Sequence, residues 1–226
     1  MTDAMSSPRF WLVMDFEATC SEADRRWKNE IIEWPCVLVS TLTHQVVDEF
    51  RTMVRPTERP ILTPFCTKLT SIEQTDVAGA PTLDLVLTSF DAWLASHGVS
   101  ESDAISVWCG DWDLKVCLPN ECRRKGLFGL VPPVLRRWCN VKIPFCEVTG
   151  SRKRMGMAGM MDRLGLELTG HHHLGIDDAR NISKIVCKLA QCGGNKVLEP
   201  TSSTPDAAIY RKRQWQEGGE PATATL

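Results

Sequence analysis

The chain has 226 residues, 43% hydrophobic and 24% charged, with a formal net charge of −2. That is enough chain for one substantial core, and the composition is that of a globular protein. No apolar run approaches the roughly 18 to 20 residues that cross a bilayer, and the first residues lack the basic-then-apolar pattern of a secretory signal, so no membrane partner is expected.

A polar stretch, residues 1–9, precedes an apolar run at 10–16 that fits a buried strand ending in acid. Residues 17–29 are polar and loop-like, and 30–41 read as a second strand rich in Ile, Val and Leu. Thr41–Gln45 suits a hairpin turn into a third strand, Val46–Val54, so the chain opens as a β-meander. Thr63-Pro64 can cap and start a short helix to about Leu69, and Ser71–Thr75 resembles another short helical start. Thr82 then caps an amphipathic helix to about Ser96, with Leu83, Val86, Leu87, Phe90, Trp93 and Leu94 at helical spacing. Residues 104–110 form the next expected strand, 111–124 the helix after it, and 135–142 either a helix or a strand. The Met-rich 155–166 is helix-permissive. Asp177–Gln191 is the strongest helical pattern, with Ile182, Ile185, Val186 and Leu189 on one stripe. From Gly193 the pattern fades, and 193–226 is expected to be a disordered tail.

The ten cysteines are scattered through apolar segments with no Cys-x-x-Cys pair, which fits buried reduced thiols better than disulfides or a structural zinc. An intracellular, reducing compartment is expected, cytoplasm or nucleus first, with a mitochondrion left open. Charge is uneven: from Lys115 to Arg154 ten Lys or Arg face two acids, a local balance of +8, so the remainder carries −10. One basic third could present a polyanion-binding face, although a charge run alone is as often a solvated surface.

Asp15-Phe-Glu17 sits where the first strand ends. Alternation puts residues i and i+2 on one face, so both carboxylates point the same way and would repel without a cation between them. Alone, such a pair also occurs at any strand that turns to solvent. Asp113 follows the exit of the 104–110 strand, and Asp177 and Asp178 open the last helix behind three histidines. Strand ends and helix starts gather at one edge of an α/β sheet, where ligands usually sit.

Five blocks in order carry a family resemblance: Asp15-Phe-Glu17-Ala-Thr-Cys20, Asn29-Glu30-Ile-Ile-Glu33-Trp-Pro35, Leu69-Thr70-Ser-Ile72-x-Gln74, Gly110-Asp-Trp112-Asp113, and His173-Leu-Gly-Ile-Asp177-Asp178-Ala-Arg-Asn181. Over residues 10–192 the chain resembles the DEDDh 3′→5′ exonucleases, in the branch that trims histone-messenger 3′ ends, ribosomal RNA and small regulatory RNAs. The resemblance implies a ribonuclease H-like α/β fold, a mixed five-stranded sheet flanked by helices. It maps the four metal ligands to Asp15, Glu17, Asp113 and Asp178, and the general base to His173. Asp113 is chosen over Asp111 because the family's acid directly follows the tryptophan, and His173 over His171 and His172 by its spacing of five to Asp178. Asp177 is then a helix cap or supporting group.

The implied reaction is hydrolysis of RNA from a free 3′ end to 5′-mononucleotides with two Mg²⁺ ions, or Mn²⁺. The expected substrate is single-stranded or 3′-overhang RNA. Phe16 and Ala18 would offer backbone and an apolar wall near the 3′ nucleotide, Thr70 would meet the terminal sugar, and Trp112 would stack on the terminal base. Arg123, Arg124, Lys125, Arg152, Lys153 and Arg154 would meet phosphates further along. A DNA 3′ exonuclease and an RNA-binding structural subunit of a larger particle stand as alternatives, and protein partners are open.

Overall fold

The computed structural model describes residues 7–24 and 26–204. In chain order its elements are β1 (Phe10–Met14), β2 (Glu17–Ala18), β3 (Ile31–Ser40), β4 (Val46–Met53), α1 (Pro64–Thr70), α2 (Gln74–Ala78), α3 (Leu83–Ser96), β5 (Ala104–Trp108), α4 (Leu118–Lys125), β6 (Arg137–Asn140), α5 (Lys142–Thr149), α6 (Met157–Arg163), α7 (Gly175–Gly193) and β7 (Ser202–Ser203). Five longer strands and two two-residue strands make one mixed sheet. β3 runs antiparallel to both β1 and β4, while β1, β5 and β6 are mutually parallel and β7 closes the far side antiparallel to β6. This is the mixed ribonuclease H-like sheet expected from the sequence, lengthened at its margins.

Alternation along β1 sorts the core into two layers. Leu12 and Met14, followed by Phe16 and Ala18, point to the side covered by α3 and α4, where Val86, Leu87 and Phe90 are buried. Trp11 and Val13 point to the other side, against Phe145 and the buried stripe Ile182, Ile185, Val186 and Leu189 of α7. The odd-numbered Asp15 and Glu17 therefore belong to the α7 side.

The expected 10–16 strand breaks after Met14, and its continuation, β2, pairs with the same edge of β3. The register that joins Val13 to Val37 and Glu17 to Glu33 sets Asp15 opposite Pro35. Proline has no N–H to donate to a ladder, and a strand interrupted there is the usual accommodation. Residues 17–29 are thus not all loop. The acid pair expected from the sequence, Asp15 and Glu17, sits at this interruption.

Other boundaries moved for local reasons. Thr63 caps α1, accepting from Cys66 N at 3.0 Å, and Ser71 ends it with φ of 60°. The expected 111–124 helix opens with a π-helical turn, Asp113–Cys117, in which Leu118 N–H reaches Asp113 C=O, before α4 proper; such turns often mark functional positions. The ambiguous 135–142 segment divides into a 3₁₀ turn, β6 and the start of α5. The expectation of a tail from 193 is corrected in its first part. Val197 packs on the core, Leu198 is fully buried in a 3₁₀ turn, and β7 pairs Ser202 with Trp138. Residues 205–226 lie outside the described residues.

Candidate active site

Four acids converge at one mouth of the sheet. Asp15 and Glu17 come from the β1–β2 interruption, Asp113 from the π-turn after β5, and Asp178 from the first turn of α7. Glu17, Asp113 and Asp178 are buried, Asp178 to 2% exposure. Burial pushes the Asp15 carboxyl well above its usual range, and the neighbouring Asp113 and Asp178 push it further. Glu17 is pushed up to about 10, first by burial and then by Asp15, Glu33, Asp178 and Asp113. Asp113 rises only to about 6, because its own N–H, the Phe16 N–H and Lys142 offset its burial. Like charges so placed cannot all ionise unless cations join them. Among the described residues no donor reaches the carboxylate oxygens of Asp15 or Glu17. An all-oxygen set, two of whose members have no donor, fits hard divalent cations.

What holds these acids together was only partly legible. Glu33 interrupts an otherwise apolar strand, and that exception is the signal that could have found its role. It is fully buried; its Oε2 accepts from Gly175 N–H (2.8 Å), and its Oε1 accepts from both Ile176 N–H (3.3 Å) and Arg51 Nε (2.8 Å). The carboxylate thereby pins the first turn of α7, three residues before Asp178. Gly175 permits the approach: a Cβ there would lie 2.7 Å from Asp15 C=O and 3.1 Å from Glu33 Oε2. Lys142, at the start of α5, is the cation that offsets the charge of Asp15 and Asp113. Neither Gly175 nor Lys142 carried a chemical role in the sequence motifs.

The three histidines divide the rim. His172 Nδ1 contacts both Asp178 oxygens, at 3.1 and 3.0 Å. His173 reaches Asp178 through its backbone N–H (3.0 Å), adopts φ of 68° and stacks its ring on His172 with centroids 4.0 Å apart. Burial and the neighbouring His172 hold its pKa below the usual imidazole value. Ligand atoms of His172, His173 and Asp178 lie within 4.8 Å of one another, so imidazoles adjoin the acids. His171 turns away to Ser71 Oγ at 3.3 Å, and its backbone N–H donates to Asp177. Asp177 also pairs with Arg180, as a turn-supporting group would.

Asp111 is separated from the acids by its partners. It accepts from Trp138 Nε1 (2.9 Å) and Ser202 Oγ (3.0 Å) and pairs with Lys115 at 3.2 Å. It ties β6 and β7 to the segment that carries Asp113.

The expected substrate residues fare unevenly. Trp112 is 43% exposed beside Asp113 and free to stack. Ala18 is buried next to Glu17. The Phe16 side chain is a correction: it packs between Trp34 and Trp108 in the core, and only its backbone N–H serves the site. Thr70 is another. Its hydroxyl is buried, donating to Cys66 C=O and accepting from Ile72 N–H at the end of α1, so it is engaged inside the fold and not presented at the surface. Lys125 is bound by the buried carboxylates of Glu30 (2.7 Å) and Glu121 (2.6 Å), and Arg124 by Glu58 and Asn29 C=O. Both support the fold; the Lys125 ammonium is engaged by two buried carboxylates, while Arg124 still lines a surface groove beside Arg123. Arg123 remains exposed, as do Arg152, Lys153 and Arg154 in the loop before α6, to which no described contact with the acids belongs.

With this geometry, residues 12–186 match the Exonuclease family, RNase_T. ERI1 exoribonuclease 3 of Bos taurus is 39% identical over 199 residues, covering 85% of this chain and 58% of its own length. The 3′-5′ exonuclease Snipper of Drosophila melanogaster is 32% identical, with 84% and 72% covered. The solved nuclease domain of 3′hExo, a DEDDh family member bound to rAMP, superposes with a TM-score of 0.82 at 30% identity, covering 88% of this chain and 99% of that one. The chain spans little more than half the length of the ERI1 exoribonuclease 3 relatives. It belongs to the Exonuclease family, in the DEDDh branch.

Proposed function

We propose that the protein is a 3′→5′ exoribonuclease that shortens single-stranded or 3′-overhang RNA to 5′-mononucleotides. The observation that carries this reading is the convergence of four acids, two of them without hydrogen-bond donors, beside an exposed tryptophan. The fold family implies divalent metal ions in catalysis, and the donor set fits them. Asp15, Glu17, Asp113 and Asp178 would hold two Mg²⁺ ions, or Mn²⁺. When bound they supply a lowered pKa for the attacking water and charge compensation at the leaving 3′ oxygen.

The chain's own residues do the rest. His173 stands on the rim with an imidazole able to take the water's proton, while His172 lies against Asp178 and supports the ring of His173. The Phe16 N–H steadies Asp113, and Glu33 fixes the turn that bears Asp178. Trp112 offers a stacking face to the terminal base. RNA is favoured over DNA by the exoribonuclease name of the mammalian relative and by the rAMP in the 3′hExo nuclease domain. Ten free cysteines support a reducing, intracellular setting.

The test uses 5′-end-labelled single-stranded RNA, a stem-loop RNA with a 3′ overhang and matched DNA. A ladder receding from the 3′ end, dependent on Mg²⁺ and abolished by EDTA and by Asp15→Asn, is expected with RNA. Internal cleavage, or a ladder that survives Asp15→Asn, would refute the reading. Faster loss of DNA would reassign the substrate.

A further inference from the structure

A groove of about 320 Å³ opens between the loop before β3 and the helical segment after β5, lined among others by Trp27, Lys28, Asn29, Val116, Asn120 and Arg123. Both walls are anchored at the candidate catalytic centre. On one side, Trp27 Nε1 donates to Thr19 Oγ1 (3.1 Å) and Asn29 Nδ2 to Thr19 C=O (2.7 Å), two residues beyond Glu17. On the other, Trp112, Val116, Asn120 and Arg123 form an exposed stripe along the π-turn and α4 that begins at the residue preceding Asp113. At helical rise, Trp112 to Arg123 spans roughly 16 Å, room for more than one nucleotide.

The chemistry of the groove suits a nucleic-acid strand. Trp27 is half-buried, with the Arg59 guanidinium backing its ring at 4.0 Å without lining the groove. Lys28 and Arg123 are exposed and pair with no carboxylate among the described residues; Arg123 donates only to Asn120 Oδ1. Two of the nearby acids are already matched, Asp24 by Arg59 and Glu58 by Arg124. The floor is rigid: Glu121, on α4, accepts from Ile31 N–H at 2.7 Å, and Lys125 joins Glu121 to Glu30 beneath it. An aromatic ring with cations that carry no carboxylate partner, lining one groove, is how single strands are held without sequence readout.

We infer that this groove binds the substrate strand upstream of the terminal nucleotide, stacking a base on Trp27 and placing a phosphate at Arg123. The inference rests on the exonuclease reading. It makes the protein prefer substrates long enough to pass from Trp112 to Trp27.

The test compares hydrolysis of dinucleotide and tetranucleotide RNA by the full chain. For Trp27→Ala the ratio of kcat/KM, tetranucleotide over dinucleotide, is expected to fall roughly 5- to 150-fold through KM, the contribution of one base–aromatic stack. Trp27→Phe should restore it, since it keeps a stacking face and loses only the bond to Thr19. Val116→Glu, at an exposed position, puts a negative charge in the groove and should lower the same ratio if Trp27→Ala folds poorly. An unchanged ratio in Trp27→Ala and Val116→Glu would overturn the groove. A wild type inactive on both substrates would overturn the exonuclease reading on which it rests.

Discussion

Gly175→Ala separates geometry from chemistry, because the residue offers no functional group. A methyl group there would stand 2.7 Å from the Asp15 carbonyl oxygen, where ordinary contact begins at 3.4 Å, and 3.1 Å from both Glu33 Oε2 and Pro35 Cγ. Two of those neighbours are backbone or ring atoms without freedom to swing aside. The start of α7 must therefore move by most of an ångström. Helix propensity opposes this loss only weakly, since Gly175 is the first helical residue and the full gain of about 1 kcal/mol applies to interiors. Overpacking costs about 1 to 3 kcal/mol, which for this chain length lowers Tm by roughly 2 to 12 °C. Asp178 lies three residues along, so kcat on RNA should fall by roughly 10²-fold, more than KM rises. Gly159→Ala is the control: on α6 its methyl would meet only the flexible Met155 at 3.4 Å, and it should stabilise slightly with activity retained. Thermal unfolding and steady-state hydrolysis read both variants. A Gly175→Ala protein with wild-type kcat would refute the claim that the β1–α7 contact sets the acid geometry.

Four further predictions follow from named contacts. His173→Ala should slow hydrolysis by roughly 10²- to 10⁴-fold at saturating substrate, and His172→Ala by less; the reverse order would assign the base to His172. Asp113 and Glu17, raised to about 6 and about 10 in the folded chain, hold protons that the unfolded chain releases above about pH 4, so metal-free stability should decline as pH rises from about 4 through 6 and beyond. Calorimetry in EDTA should then find Asp15→Asn more stable than the wild type at pH 8 although inactive, and added Mg²⁺ should reverse that ranking. Lys125→Ala leaves Glu30 and Glu121 buried without their shared cation and should cost about 3 to 5 kcal/mol in denaturant unfolding; a stable variant with weakened RNA binding would return Lys125 to the phosphate set. Finally, Arg123→Ala should reduce the slope of log affinity against log salt by about 0.7, one single-strand phosphate contact, whereas an unchanged slope would make Arg123 a solvated surface charge.

Local pattern carried much of the fold. Strand β3 and helix α7 follow from an apolar run and a stripe at helical spacing, because their burial is decided by their own residues. The segment from 193 to 204 did not, since its order comes from single contacts such as buried Leu198 and the Ser202 hydroxyl on Asp111, which leave no period to read. The acids were legible as an ordered set. Their supports were not: Lys125 reads as one more basic residue in a basic run until the chain brings Glu30 to it across the fold, and Thr70 reads as a polar residue in a motif until α1 ends on its hydroxyl. Charge and hydroxyl content are visible in sequence, whereas partner choice is a tertiary property.

Glu33 has a consequence for how the protein meets a phosphate. The start of a helix, with its outward N–H groups and positive dipole end, is a ready-made cradle for an anion. In α7 that cradle lies beside the four acids and is already filled by the chain's own carboxylate. The fold has supplied an internal stand-in for the phosphate that such a cradle would otherwise attract. On the proposed reading, negative charge arriving on a substrate would find this cradle closed and would be left to bound cations and exposed basic side chains, so the scaffold itself would add to the dependence on metal.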